Sequence, residues 1–327
     1  MPGKVTSPFG RLLLAGLLAL LGGCSTSRGD AGRAAGHIVV AGERHPVAAP
    51  VVLWTDPGGY NAHALTNRFD EDPGEPRQRY GPRQPRTPAI KRIVQRDGWT
   101  PRAVRAQVDQ FVLHYDVAGT SRSCFRVLHD VRGLSVHFLL DIDGTIYQTL
   151  DVTHRAWHAT KANDRSVGIE IANIGAYPPD DRETLDRWYR EEPGGAVLTL
   201  PGWLGDGGVR TPGFVARPSR PSAVRGTVHG RAYEMYDLTN EQYESLIALT
   251  TALCRALPGL EPIAPRDASG RVRTGVLSDA EFESFGGVLG HLHVQSNKID
   301  PGPAFDWERV MRGVRQDLGR ESEAVLR

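Results

Sequence analysis

Patterning in this chain is concentrated in two blocks, roughly 110–175 and 239–318, and each mixes strand periods with helix periods. In the first, "FVLHYD" (111–116) reads as a short buried strand. "SVGIEIAN" (166–173) alternates Val167, Ile169 and Ile171 with Gly168, Glu170 and Ala172. Between them, "VHFLLDIDGTIYQTL" (136–150) places two β runs around Asp143-Gly144, a hairpin signal. "SRSCFRVLHDVRG" (121–133) sets Cys124, Phe125, Leu128 and Val131 on one helical face and stops at Gly133. In the second block, Thr239 to Gln242 fits a capping box, and Leu246, Ile247, Leu249, Leu253 and Leu257 continue a helix ended by Pro258-Gly259. Ser278 with Glu281 opens a shorter helix, "GGVLGH" returns as a strand, and "FDWERVMRGVRQDL" (305–318) closes as an amphipathic helix. Such patterning points to one α/β or α+β domain over about 105–320.

The remaining segments are of a different kind. Residues 176–236 lose the pattern to Pro, Gly, Trp and Arg and read as an insertion; a loop of that length inside a compact domain is often functional. Residues 24–104 read as a polar tether, an extended arm with two short β-like runs in 37–63, and a Pro/Arg-rich linker centred on "DEDPGEPRQRYGPRQPRTP". Before them, Lys4 and Arg11 precede a Leu, Ala and Gly run from Leu12 to Leu21, too short to span a bilayer and read as a signal peptide over 1–23. Leu21-Gly22-Gly23-Cys24 then resembles the lipobox of bacterial lipoproteins. That resemblance implies lipid on Cys24 and a periplasmic protein anchored to a bacterial membrane, the outer one by expectation, without crossing it. With Lys+Arg 39 against Asp+Glu 38, the charge balance points away from nucleic acid, and no protein partner is predicted. Cys124 and Cys254 could form one disulfide or remain buried thiols.

The chemistry rests on histidine, since the chain has no H-E-x-x-H, no G-x-S-x-G, no phosphate-binding glycine loop and no paired C-x-x-C. His114 lies in the apolar run Phe111-Val112-Leu113, where a lone histidine is usually structural. His291 or His293, near the end of a strand, and Asp300, fixed by Pro301-Gly302, would complete a three-ligand site with an open position for water. On a strand, residues 291 and 293 share a face, so alternation alone does not choose between them. Glu170 sits on a strand that reads as buried, a costly place for a carboxylate unless it is paired or functional.

Taken together and in order, "FVLHYD", "LSVHFLLDIDGTIYQTLDVTHRAWHA", "NDRSVGIEIAN" and "GHLHVQSNKIDPGPAFDW" resemble the motifs of the zinc-dependent N-acetylmuramoyl-L-alanine amidase family, amidase type 2. That family includes bacterial wall-recycling amidases, phage amidases and animal peptidoglycan recognition proteins. The resemblance covers roughly 110–175 and 239–310 and implies an α/β fold, a mixed β-sheet flanked by helices, with one Zn2+ held by His114, His291 and Asp300. The Gly290-His291 pair matches the family, although the gap to Asp300 is one residue short, which leaves His293 a rival. By the same resemblance Glu170 is the proton shuttle, because the position of the alternative tyrosine falls on Val136, and Lys298 steadies the oxyanion. Trp157 and His158 are expected to line the cleft and touch sugar or stem peptide. The expected activity is hydrolysis of the amide between N-acetylmuramic acid and L-alanine in peptidoglycan or muropeptides. The competing expectations are a non-catalytic peptidoglycan-binding module, which would typically lack a zinc ligand, and a hydrolase of another amide.

Overall fold

The structure, a computed structural model, describes residues 35–325; the expected signal peptide, Cys24 and most of the expected tether lie outside the described residues. Its frame is a six-stranded sheet built from β1 (Val51–Leu53), β2 (Gln110–Tyr115), β3 (Phe138–Leu140), β4 (Ile146–Gln148), β5 (Ser166–Ile171) and β6 (Gly287–Gly290). The spatial order is β6-β2-β5-β3-β4-β1. Only β3 and β4 pair antiparallel; the other neighbours run parallel, so the sheet is mixed and the class is α/β. The β3–β4 turn is where Asp143-Gly144 signalled it: Gly144 has φ 80° and Asp143 Oδ1 accepts from Thr145 N at 2.9 Å.

Parallel strands are normally covered on both faces, and the two faces here have different partners. Phe111, Leu113, Val167, Ile169 and Ile171 point to the face packed by the long helices Asn240–Ala256 and Trp307–Val325, through Leu246, Leu249, Val310 and Val314. Val112 and Leu289 point to the opposite face, against Ala159, Ala162 and Phe282. Side chains alternate along a strand, so His114 follows Val112 and Glu170 follows Gly168 onto that second face. Both capping boxes read from the sequence are formed, Thr239 with Gln242 and Ser278 with Glu281.

Several segments depart from the sequence reading. The arm is a hairpin, Gly36–Val40 with Glu43–Val47, and leads into β1 at the sheet edge; Gln148 clasps Val39 by two bonds of 2.7 Å. The stretch 68–101 is not all linker, because Tyr80–Pro82 pairs with His154–Ala156 and a helix spans Pro88–Asp97. Thr87-Pro88 and Thr100-Pro101 carry the local signal, an N-cap threonine followed by proline at N1. Composition misled there because Arg79 and Arg83 are buried: Arg83 alone donates to the carbonyls of Val152, Asn163, Asp164 and Ser166 at 3.0–3.1 Å.

The helix starting at Ser121 turns from α to π over Arg126–Arg132 before Gly133 stops it in the left-handed region. The wider π turn breaks the expected 3.6-residue face, and Val131 is left 55% exposed while His129 and Asp130 are buried. The insertion is structured as well, with a short helix Glu183–Trp188 and a hairpin Val224–Val228 with Arg231–Met235. It has a small core of its own around Leu185, Trp188, Tyr189 and Tyr236. Cys124 and Cys254 are free and belong to separate clusters. No helix among the described residues is long and apolar enough to cross a membrane.

Candidate metal centre

Three neighbouring strands deliver the candidate residues to one end of the sheet. Gly290 at the end of β6 lies opposite Leu113, which brings the next residue, His291, beside His114. On the other side His114 lies opposite Glu170 of β5. All three side chains stand at the carboxyl ends of parallel strands, where open α/β sheets generally bind ligands. Asp300 arrives from the following loop, fixed by its carbonyl accepting from Leu292 N at 3.0 Å. A Cβ on Gly290 would stand 2.5 Å from Pro301 Cδ, so the approach of this loop requires glycine there.

Nδ1 of His114 lies 2.8 Å and Nδ1 of His291 3.2 Å from Asp300 Oδ2, and the two imidazole rings meet edge to face at 4.4 Å. These three buried groups offer donor atoms all within 4.8 Å of one another. Burial pushes the His114 imidazole down to about 4, as does the neighbouring His291, against the opposing pull of Asp300. Burial would raise the Asp300 carboxyl, but hydrogen bonds from His114 and His291 outweigh it and hold it far below the usual carboxylate range. Two imidazoles and an ionised carboxylate form a donor set suited to zinc.

The other nitrogen of each ring is already occupied, which is the arrangement that orients a metal-binding histidine. His291 Nε2 lies 2.7 Å from Gln295 Oε1. His114 Nε2 lies 3.0 Å from His158 Nδ1, and His158 Nε2 lies 3.2 Å from Ser166 Oγ. Gly168 makes room for this stack, since a Cβ there would meet the His158 ring at 2.6 Å. His158, expected to line the cleft, does line the cavity, and its two ring nitrogens also face His114 and Ser166. Trp157 remains on the wall of the cavity.

His293 separates from His291 because the two are not on a strand. Residues His291–Val294 form one helical turn, with His293 Nδ1 accepting from Gly290 N at 2.9 Å. Its Nε2 faces the Arg273 carbonyl at 2.8 Å, so both of its nitrogens serve the backbone. His137 and His129 are similarly taken up: His137 accepts from Gly168 N and faces the His154 carbonyl, and His129 is paired with Asp130.

Above the three donors lies a cavity of about 270 Å³, lined by Glu170, Lys298, Trp157 and Arg132 among others. Glu170 Oε2 is buried without a hydrogen-bond partner. Burial raises the Glu170 carboxyl well above its ordinary value, and the charges of Asp300 and Asp116 add to this against Lys298 and Arg132. Val136 is buried among Phe125 and Leu139. Lys298 is held from the insertion, where His229 Nε2 donates to the Lys298 carbonyl at 2.8 Å.

Sequence reasoning overlooked Asp116, whose Oδ1 caps the turn after β2 by accepting from Ala118 and Gly119, both at 2.9 Å. An aspartate two to three residues before a glycine at a strand end is the signal that could have found it. It also overlooked Gln295 and Ser166, which act only through the histidines.

Residues 104–191 match the family model Amidase_2, N-acetylmuramoyl-L-alanine amidase. No curated protein matches the chain. Among solved structures, a selenomethionine derivative of AmpD is 20% identical with a TM-score of 0.31, covering 64% of this chain and 86% of that one. AmiD from E. coli, solved with the substrate anhydro-N-acetylmuramic acid-L-Ala-D-gamma-Glu-L-Lys, is 18% identical with a TM-score of 0.35, covering 63% of this chain and 57% of that one. The endolysin amidase LysCS from Clostridium intestinale URNW is 16% identical with a TM-score of 0.34, covering 65% and 86%. The segment 104–191, which carries His114, His158 and Glu170, is thus similar to the N-acetylmuramoyl-L-alanine amidase family model.

Proposed function

We propose that the protein hydrolyses the amide between the lactyl group of N-acetylmuramic acid and L-alanine in peptidoglycan or its fragments, using one zinc ion held by His114, His291 and Asp300. The observation that carries this reading is the convergence of those three buried donors beneath a cavity whose wall presents the unpartnered Glu170 carboxyl. Bound there, zinc supplies Lewis acidity that polarises the amide carbonyl and acidifies water. Glu170, whose burial favours holding a proton, takes one as the water oxygen adds to the amide carbon. When the C–N bond breaks, Glu170 returns that proton to the leaving amine. Lys298, on the same cavity and the same loop as Asp300, offers its ammonium to the carbonyl oxygen as negative charge grows there. Trp157 on the cavity wall offers an aromatic surface to the substrate.

The motif around Cys24 supports a lipid-anchored, periplasmic location, which places the enzyme beside its polymer. Labelling with a radioactive fatty acid in wild type and Cys24→Ala cells tests that part. The activity is tested by metal analysis together with digestion of purified muropeptide. One zinc per chain with release of free L-alanine amino termini is expected; a metal-free protein that binds muropeptide without cutting it would make it a binding module.

A further inference from the structure

A second cavity, of about 690 Å³, opens from the first and shares Asp116, Val117, Val127 and Arg132 with it. Its outer wall comes from the insertion, through Trp188, Trp203, Leu204 and Gly207. Trp203 is 72% exposed, Val117 53% and Val127 38%. A soluble surface seldom gathers large apolar side chains in one groove unless something binds there. The opposite wall carries Arg122 and Arg126, which with the shared Arg132 form a row along the helix that turns from α to π.

The groove is built firmly. A Cβ on Gly119 would meet the Trp188 ring at 2.3 Å, and one on Gly207 would meet Thr120 Cγ2 at 2.6 Å. The insertion is thus seated directly against the loop that follows the His114 strand. Arg122 lies over the Phe69 ring at 5.4 Å, and Arg126 pairs with Asp70 at 2.8 Å, so the 68–101 segment closes the far end.

Size decides what belongs in it. A cavity of about 270 Å³ falls just below the range of about 300–1,000 Å³ that encloses a drug-sized ligand. It has room for the scissile amide and its immediate neighbours, not for a saccharide with its whole acidic peptide. Arginines recognise carboxylates by paired donors, and an exposed indole face suits the C–H face of a sugar ring.

We propose that this second cavity is a subsite of the same cleft that takes a neighbouring saccharide–peptide unit, making polymeric peptidoglycan the preferred substrate over a single muropeptide. The inference rests on the amidase reading above. Its chemistry is that of the polymer itself: carboxylates of the adjoining stem peptide against the arginine row and a sugar face against Trp203.

The test compares wild type with Trp203→Ala and Arg126→Gln on a purified monomeric muropeptide and on glycan strands of several repeats. Wild type is expected to show at least a tenfold higher kcat/KM on strands. Each variant should raise KM for strands several-fold with kcat, zinc content and muropeptide kinetics unchanged. Equal strand kinetics in wild type and both variants would overturn the proposal. Sedimentation of zinc-free protein with intact sacculi gives a reading independent of turnover. A several-fold loss of bound Trp203→Ala supports the subsite, and binding equal to wild type counts against it. If wild type cuts neither substrate, the amidase reading fails while the sedimentation result still decides the subsite.

Discussion

His114 and Glu170 stand directly opposite one another on hydrogen-bonded parallel strands. One ends beside Asp300 and His291, the other ends in a buried carboxyl with a free oxygen. The sheet register therefore fixes the separation between His114 and Glu170, the proposed proton shuttle, with no loop in between. Glu170→Gln keeps the size and removes the proton exchange. It should lower kcat by about 10²–10⁴-fold, the usual worth of general acid–base catalysis, with one zinc retained. Muropeptide turnover and metal content measured on the same preparation check this, and activity near wild type would remove Glu170 from the mechanism.

The two histidines of the Gly290–Val294 turn should separate cleanly on substitution. His291→Ala removes one of three donors and should abolish stoichiometric zinc. His293→Ala leaves the donors intact but strands the buried Gly290 N–H and the part-buried Arg273 carbonyl. Loss of those partners should cost about 2–4 kcal/mol of stability. Metal analysis and thermal melting of both variants read the difference. Zinc lost from His293→Ala and kept by His291→Ala would reverse the assignment.

The ease with which parts of this site could be read follows from the range of the forces that form them. Period-two strands, the Asp143-Gly144 turn and the capping boxes at Thr239 and Ser278 are local, and they are visible in a few residues. His293 was ambiguous because its turn depends on a side chain closing back onto Gly290 and on the Asp300-Pro301 loop pressing against that glycine. The arginines of 68–101 looked like linker because their partners are distant, with Arg79 bonding the His129 carbonyl and Arg83 that of Ser166. Val131 was expected on the buried face because a helix is read with 3.6 residues per turn, and nothing local announces the π segment. The contact of His158 with His114 is hidden from the sequence for a related reason: its partners, His114 and Ser166, come from two different strands.

That pairing gives His158 a measurable effect on the metal. With Nδ1 of His114 given to a cation, Nε2–H can donate to His158 Nδ1, and His158 Nε2–H to Ser166 Oγ. Removing such an outer partner typically weakens metal affinity by about 10–100-fold. His158→Ala should therefore show weakened zinc binding in competition with a chelator, while His158→Gln, which can still accept from His114, should recover part of it. Equal zinc affinity in wild type and His158→Ala would show that His114 needs no such support.

Asp141 supplies a prediction about pH that is independent of the metal. It closes the β3–β4 turn, accepting from Ile142 N through Oδ1 at 2.9 Å, while Oδ2 is buried without a partner. Burial pushes its carboxyl up to about 8, and the nearby acids Asp143 and Asp116 add to the effect. An unfolded chain releases this proton near pH 3.9. Between those values the folded protein holds a proton that the unfolded chain has lost, so this group's contribution is full below pH 4 and falls as pH rises toward 8. Asp141→Asn keeps the Oδ1 acceptor and cannot ionise. Its melting temperature relative to wild type should climb steadily from pH 5 to pH 8, whatever constant offset the new amide introduces. Thermal melts of both proteins across that range decide the matter, and parallel curves would mean that Asp141 is ionised in the folded protein throughout.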